Sequence, residues 1–292
     1  VVVGGGYIGT EFAHFLAAAG TEVTVLQQGP RLVPSEEEEV SRLLAERLSE
    51  RMKIRTGMSV VRLRRKGTGY IATASPEDGG DDVGFYADSV LIAVGRRPNS
   101  DLLDVEKAGI ETDERGYIEV NDALETSAEN VWALGDAIGK AMFTHAANQE
   151  AAVAWYNSTH DEPVGMDYSG VPHAVFTDPQ IASVGLTEKQ AREQEKDYLV
   201  SRVAYMDVMK GEAMLERDGF AKALVEAESG RILGFHIIGP YAPMLIQEVV
   251  NAMANGQTAS EVTSAMHIFP SMSELVTEAL NRLGEPRTSE GG

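Results

Sequence analysis

The pattern of apolar and polar positions at the start of the chain predicts a strand, a turn and a helix. Residues 1–3 are three valines, a glycine-rich turn follows, and residues 10–19 form an alanine-rich segment that favours a helix. A second apolar run, residues 22–26, comes at the distance expected within a βαβ unit. This order is typical of an α/β fold.

The turn between the first strand and the helix carries a dinucleotide-binding pattern. Gly4, Gly6 and Gly9 fit G-x-G-x-x-G. The first glycine permits a tight turn, the second lets the backbone approach a pyrophosphate, and the third lets the helix pack on the strand. A glycine-rich turn of another α/β protein would look similar, and the strand that follows at the right distance favours nucleotide binding. Gln27 ends that strand, where an acidic residue usually contacts the ribose.

The following segments complete a first predicted domain, residues 1–98. Ser35 is a candidate N-cap for a long amphipathic helix that ends near Arg51. The glutamates at positions 36–39 are expected to face solvent in its first turn and to complement the helix dipole rather than bind a metal. Strands are predicted at residues 53–56, 59–65 and 69–74 and in the run that begins at residue 89. A break formed by Gly and Pro residues after that run ends the domain.

The remaining chain predicts two more domains and a tail. Residues 131–134 predict a strand that ends in Gly135 and Asp136, and a helix is expected from Thr144 to about Tyr156. An aspartate at such a strand end suits a sugar hydroxyl, although turn formation explains it equally well. From about residue 168 five antiparallel strands and then three helices are predicted, which indicates an α+β domain. The predicted domains are residues 1–98, 99–166 and 167–284, followed by a polar, disordered tail over residues 285–292.

Composition narrows the class of protein. The 292 residues include 45 acidic and 25 basic side chains, which gives a net charge of −20 and disfavours binding to nucleic acid or an anionic membrane. Only 8 of the 25 basic residues are lysine, so a salt-adapted cytoplasm is expected, the alternative being an ordinarily acidic protein. The chain has no cysteine and hence no disulfide or thiolate nucleophile. No signal peptide or run of ~18 apolar residues is present, which favours a cytoplasmic protein.

Four separated motifs, taken together, resemble the FAD-dependent pyridine nucleotide–disulfide oxidoreductases, which include dihydrolipoamide dehydrogenase, glutathione reductase and mercuric reductase. They match in order and spacing from residue 1 to about residue 283. The resemblance implies a Rossmann-like NAD(P)-binding domain, the second part of an FAD domain, and an α+β domain that forms a homodimer. It also implies that a first FAD segment precedes residue 1, so that these residues alone would be inactive. The motifs are GGGYIGTE at residues 4–11, AVGRRPN at 93–99, ALGD at 133–136 with MFTH at 142–145, and FTDPQ at 176–180 with SVGLTE at 183–188.

The resemblance also assigns binding residues to both cofactors, and no metal. Glu11 is expected near the nicotinamide, Gly95 over the cofactor, and Asp136 at the ribitol of FAD. The backbone amides of residues 142–145 are expected to face the flavin from a helix N-terminus. For NAD(P) the implied residues are Gly4, Gly6, Tyr7, Ile8, Gly9, Glu11, Gln27, Val60 and Gly95, and for FAD they are Asp136, Met142, Phe143, Thr144 and His145.

Two departures from the family pattern bear on function. In members that handle dithiols, a histidine before a proline acts as the base and a glutamate orients it. Here Phe269 takes the histidine position before Pro270, so Glu274 has no histidine to orient. His267 is expected to be a packed or capping residue rather than a replacement base. The second departure is Gln27, which supplies neither the carboxylate of NAD users nor the arginine of NADP users.

These observations favour a flavoenzyme that passes hydride from NAD(P)H to FAD and then reduces a small-molecule acceptor, which could be a quinone, a disulfide or another oxidant. The alternative is a degenerate subunit that binds nucleotide or dimerises without catalysis. A homodimer is expected through the third domain, with Ile268, Phe269, Met272 and Leu275 as a contiguous apolar patch.

Overall fold

The computed structural model describes residues 1–284, so the predicted tail over residues 285–292 lies outside the described part of the chain. The chain forms two compact units. The first combines Val1–Gly95 with the chain from Pro172 onward, and the second is Arg96–Val171. No helix among the described residues is long and apolar enough to cross a membrane.

Residues 1–95, called the nucleotide domain below after the role that the resemblance implies, contain a parallel sheet and an antiparallel one. The parallel sheet has the strand order β3-β2-β1-β7, and β4, β5 and β6 form the three-stranded antiparallel sheet. Both the parallel pairing and the helix after the first strand agree with the sequence prediction. The elements are β1 (Val2–Val3), α1 (Tyr7–Ala18), β2 (Thr24–Leu26), α2 (Glu38–Ser49), β3 (Lys53–Arg55), β4 (Met58–Lys66), β5 (Gly69–Pro76), β6 (Val83–Ala87) and β7 (Leu91–Ile92).

Alternate residues of the parallel strands build the core on both faces of that sheet. Val2 and Val25 pack with Leu44 of α2 in one buried cluster, whereas Leu26 packs with Ala72 and Ala74 of β5 in another. Successive side chains of a strand point to opposite faces, so both faces of this sheet are covered. Because the side chains on both faces of these strands are buried, consecutive residues are apolar, which explains the continuous apolar runs that predicted the strands.

The second unit contains little regular secondary structure. It contains α3 (Ser100–Leu103), 3₁₀ turns at Val105–Ala108 and Gly135–Ile138, and α4 (Thr144–Thr159). The predicted strand at residues 131–134 is wrong, because the pairing is a single bridge between Glu125 and Trp132. Asn130 has a φ of 61° immediately before this segment, and the 3₁₀ turn begins at its end, so an extended ladder cannot develop.

Residues 172–284, called the interface domain below after the role that the resemblance implies, have the predicted antiparallel sheet followed by helices. Its strand order is β10-β11-β12-β9-β8, and one large buried cluster joins the sheet to the helices through Val249, Leu275 and Phe235. The elements are β8 (His173–Val175), β9 (Ile181–Gly185), α5 (Glu188–Glu193), β10 (Tyr198–Ala204), a 3₁₀ turn (Tyr205–Asp207), α6 (Met209–Ala213), β11 (Phe220–Glu226), β12 (Ile232–Ile238), α7 (Ala242–Ala254), α8 (Ala259–Ser264) and α9 (Glu274–Asn281).

Two groups of side chains differ in burial from the sequence prediction. The helix α2 begins at Glu38, not after Ser35, and Glu36 and Glu37 are buried instead of solvated. Their carboxylates meet cations and hydroxyls of the interface domain, which replace the water they lose. Met272, just before α9, and Leu275, within it, are also buried in the core of the interface domain, so they do not extend the exposed apolar patch.

A buried ion cluster joins the two domains of the first unit. The Nζ atom of Lys222 on β11 lies 3.1 Å from Glu37, 2.6 Å from Glu188 and 3.1 Å from Glu39, and the Lys222 side chain is only 4% exposed. Burial by itself lowers the pKa of Lys222, but the hydrogen bond to Glu188 and the charge of Glu37 outweigh it and raise the pKa above its ordinary value. The lysine therefore stays charged and compensates the buried carboxylates of Glu37 and Glu188, whereas Glu39 is partly exposed and also pairs with Arg202 at 3.1 Å.

We expect Lys222→Met to lower the free energy of unfolding by about 3–5 kcal/mol, because it leaves buried carboxylates without their cation. The measurement is urea denaturation near neutral pH. Lys189→Met is the matched control: Lys189 is 78% exposed and pairs with Glu193 on the surface, so its loss should change stability by no more than about 0.5 kcal/mol. Equal effects of the two substitutions would contradict this reading of the cluster.

Candidate functional site

The glycine turn has the geometry that its sequence pattern demands. Gly4 has a φ of 100°, and a Cβ there would stand 2.3 Å from the carbonyl oxygen of Ala93. A Cβ on Gly9 would stand 2.0 Å from the carbonyl oxygen of Gly4. Both positions thus exclude any side chain, the first by backbone conformation and the second because α1 lies directly on the turn.

Gly6 differs from the other two glycines because space is open around it. No atom lies within 4 Å of the position that a Cβ would occupy, and Gly6 is the N-cap of α1 with no side chain capping the helix. Helix N-termini carry backbone N–H groups without intrahelical partners and favour anions. Open space at the start of a helix fits a pyrophosphate, and Tyr7 and Ile8 form the first turn beside it.

Gln27 is placed at the end of β2, as the sequence predicts, but its side chain is already in use. Its Oε1 accepts a hydrogen bond from the Gly5 N–H at 2.7 Å. The carboxamide oxygen therefore supports the turn, and the Nε2 group, a donor, is the remaining polar end. Val60 on β4 is partly buried and packs against the cluster around Leu26.

Glu11 in α1 and Gly95, three residues after β7, are two further residues that the resemblance assigns to the nicotinamide cofactor. The Oε1 atom of Glu11 accepts a hydrogen bond of 2.8 Å from the backbone N–H of Phe176 in the interface domain. Gly95 has a φ of 132°, which only glycine adopts readily, with open space around its Cβ position. Their roles toward a cofactor stay predictions.

In the second unit, Asp136 lies in the 3₁₀ turn Gly135–Ile138 and is exposed. Its Oδ2 forms an ion pair of 2.6 Å with Arg96. The turn rests on Glu150 of α4, which is fully buried: its Oε2 accepts from the Gly135 N–H at 2.5 Å and its Oε1 from the Tyr168 hydroxyl at 2.9 Å. Sequence reasoning missed Glu150, and its one signal was a glutamate within an otherwise neutral, alanine-rich helical stretch.

The start of α4 is a second helix N-terminus of the kind that favours anions. Phe143 is the N-cap, with no side chain capping the helix, and Thr144 and His145 begin the first turn. The rings of Phe143 and His145 stack with centroids 5.5 Å apart. The arrangement suits negative charge, as expected for residues 142–145. Asp136 and this helix start belong to the same unit, and Asp136, Thr144 and His145 are exposed.

The polar side chains around Phe269 are held in local contacts. The Phe269–Pro270 peptide is cis, and the Phe269 ring is 67% exposed. His267 Nε2 lies 2.6 Å from Glu248, and its Nδ1 lies 2.9 Å from the carbonyl oxygen of Ala265. Glu274 accepts a hydrogen bond from the Ser271 N–H at 2.9 Å, so it serves the start of α9.

We expect Gly6→Ala to weaken NADH and NADPH binding by on the order of tenfold or more while leaving the melting temperature nearly unchanged. The added methyl meets no atom of the chain but occupies the path by which a pyrophosphate reaches the helix. Gly170→Ala, also in open space, is the control and should change neither property. Gly9→Ala should instead unfold the domain, since its Cβ overlaps a backbone oxygen. Fluorescence titration and thermal melting distinguish the three, and unaltered affinity in Gly6→Ala would contradict the site.

The His267–Glu248 pair gives a pH dependence of known sign. The hydrogen bond to Glu248 holds the pKa of His267 above its ordinary value. A raised folded pKa means that the pair stabilises the protein below about pH 6.5, and that this stability is lost as the pH rises through the folded pKa. Glu248→Gln should therefore lower the melting temperature more near pH 5.5 than near pH 8.5, and it should lower the His267 pKa in an NMR titration. An unchanged pKa would refute the pairing.

Comparison with known proteins gives consistent matches along the chain. Residues 1–151 match the family described as pyridine nucleotide-disulphide oxidoreductase, and residues 171–280 match its dimerisation domain. The chain is 38% identical over 288 residues to a dihydrolipoyl dehydrogenase of Haloferax volcanii, covering 98% of this chain and 60% of that protein. It is 39% identical over 286 residues to a mycothione reductase of Mycobacterium tuberculosis, covering 96% and 61%.

Solved structures agree with the fold. LpdA from Mycobacterium tuberculosis matches with a TM-score of 0.88 at 26% identity, covering 96% of this chain and 60% of that one. The HOCl-induced flavoprotein disulfide reductase RclA from Escherichia coli, as its Cu(II) complex, matches with a TM-score of 0.85 at 29% identity, covering 96% and 63%.

The chain spans about three fifths of the length of these relatives. Relatives from Haloferax volcanii and Halobacterium salinarum support the expectation of salt adaptation drawn from the acidic, lysine-poor composition. Because one family description spans more than half of the residues and a relative is 39% identical along almost all of them, the chain belongs to the pyridine nucleotide-disulphide oxidoreductase family.

Proposed function

We propose that this chain is the nucleotide-binding and dimer-forming part of a cytoplasmic, FAD-dependent NAD(P)H oxidoreductase similar to dihydrolipoamide dehydrogenase. The observation that supports this most strongly is the glycine turn, in which Gly4 and Gly9 exclude side chains and Gly6 leaves room at a helix N-terminus. Hydride passes from NAD(P)H to FAD when both are bound. The chain's own residues bind and orient the two cofactors.

Each unit contributes a different part of that task. In the first unit, the open helix start at Gly6 holds the pyrophosphate of NAD(P), and Gln27 offers a donor at the ribose position. In the second unit, Asp136, which pairs with Arg96, would accept a hydrogen bond from a ribitol hydroxyl of bound FAD. The α4 N-terminus at Phe143 stabilises negative charge that develops on the reduced flavin.

The electron acceptor is proposed to be one whose reduction requires no enzyme base at position 269, such as a quinone or another small oxidant. The names of the relatives point to disulfides or dithiols as the class used within the family. In this chain the Phe269 side chain cannot move a proton, and Glu274 is bonded to the Ser271 N–H. His267 is held by Glu248 on one nitrogen and faces the Ala265 carbonyl with the other.

We further propose a homodimer through the interface domain. Met266 is 100% exposed, Ile268 80%, Phe269 67% and Met244 76%, and these residues belong to α7 and to the segment before α9. Exposed apolar side chains in such a group are typical of a protein–protein contact. The matched dimerisation domain over residues 171–280 supports the same conclusion.

We expect the flavin-loaded protein to reduce a quinone with NADH or NADPH and to oxidise dihydrolipoamide poorly, because the dithiol needs a base. Phe269→His should raise dihydrolipoamide turnover by at least about tenfold, a small part of what general base catalysis can supply. Phe269→Leu, which is equally apolar, is the control and should leave dithiol turnover low. Efficient dihydrolipoamide turnover by the unmodified protein, with no gain from the histidine, would overturn the proposed acceptor.

A further inference from the structure

The backbone of Gly5, the central residue of the glycine turn, is held by the chain segment that follows β2. Gln27 accepts from the Gly5 N–H at 2.7 Å, and the Val33 N–H donates to the Gly5 carbonyl oxygen at 2.7 Å. The Leu32 side chain closes the remaining side, since a Cβ on Gly5 would stand 2.6 Å from its Cδ2 atom. The orientation of the turn's N–H groups therefore depends on the position of residues 32–36.

The backbone conformation of residues 32–36 depends on contacts with neighbouring residues. Val33 has a φ of 39°, a left-handed conformation that a β-branched residue adopts only when its surroundings impose it. Neighbouring contacts hold it in place: the Ser41 hydroxyl donates to the Val33 carbonyl oxygen at 3.2 Å, and the Glu36 N–H donates to the same oxygen at 2.9 Å. Whatever fixes Glu36 thus also fixes Val33.

Glu36 is fixed by the interface domain. Its side chain is buried, its Oε1 lies 2.6 Å from His173 Nε2, and its Oε2 accepts from the Ser183 hydroxyl at 2.7 Å. Burial alone raises the pKa of Glu36, but the hydrogen bonds from His173 and Ser183 outweigh it and lower the pKa, so the carboxylate is charged. A charged, desolvated group with two short bonds is a rigid attachment point.

A second contact leads to the same place. The Tyr7 hydroxyl and the Ser35 Oγ atom lie 2.6 Å apart, and the Tyr7 ring lies 5.3 Å from the His173 ring. Tyr7 is the first residue of α1, directly after the open position at Gly6. Both the centre of the glycine turn and the start of its helix are thereby tied to residues 35 and 36.

We infer that Glu36, held by His173 and Ser183 of the interface domain, is a positioning residue for the dinucleotide-binding turn, so that nucleotide affinity depends on side chains outside the nucleotide domain. This inference rests on the proposed NAD(P) site. The carboxylate does not contact the ligand. It holds Val33 in its left-handed conformation, and Val33 holds the Gly5 carbonyl oxygen.

The test compares two buried serines of the same sheet by their effect on NADH and NADPH affinity. Ser183→Ala removes the hydroxyl that Glu36 accepts from, whereas Ser201→Ala removes a bond from β10 to the Ala279 carbonyl oxygen, which does not lead to the turn. Loss of one hydrogen bond should raise the dissociation constant about three- to tenfold in Ser183→Ala only. Both variants should lose a similar amount of thermal stability, so a merely structural effect would change the two affinities alike.

His173 provides a rescue experiment. His173→Gln retains an N–H that can donate to Glu36, and His173→Ala does not. If Glu36 positions the turn, the glutamine variant should bind nucleotide about as tightly as the unmodified chain. The alanine variant should lose affinity three- to tenfold, which again corresponds to about one hydrogen bond. If Ser183→Ala and His173→Ala bind as tightly as the unmodified chain, the inference is wrong and the nucleotide site stands. If the unmodified chain binds neither NADH nor NADPH, the proposed function fails and the inference fails with it.

Discussion

The ion cluster at Lys222 is the interaction on which the arrangement of the first unit depends. Its lysine comes from the interface sheet, and of the carboxylates it meets, Glu37 and Glu39 come from the nucleotide domain. A buried ion pair of this kind contributes little net stability compared with apolar packing, but losing one partner is costly because the other charge stays desolvated. The cluster therefore constrains where α2 begins, because Glu37 must lie within reach of the lysine.

The same constraint explains why the dinucleotide-binding turn needs more than its glycines. Gly4 and Gly9 are selected by close approach of backbone atoms, and Gly5 is held from outside by Gln27 and Val33. Glu36 is the residue before Glu37 of the ion cluster. Through its contact with Val33, it links the cluster to the glycine turn. A binding loop without its own rigid scaffold is positioned in this way by neighbouring elements.

Phe269 stands where the resemblance to the family expects a histidine base. The local chemistry can therefore change while the fold is retained. Phe269 and Pro270 precede α9, and Glu274, the first residue of that helix, accepts a hydrogen bond from the Ser271 N–H. His267 is held between Glu248 on one nitrogen and the carbonyl oxygen of Ala265 on the other. A phenylalanine side chain cannot transfer a proton, yet the chain matches its relatives along almost its entire length.

The sequence by itself determined the glycine turn and the parallel and antiparallel sheets, because these follow from local spacing and residue type. That Phe269 stands at a histidine position is implied only by the resemblance to the family. It could not determine the environment of Glu36 and Glu37, for which a solvated helix start was the reasonable expectation. Their partners His173, Ser183 and Lys222 lie 137, 147 and 185 residues further along the chain. Whether a carboxylate is solvated or buried depends on the cations and donors that reach it, and only the tertiary structure brings those together.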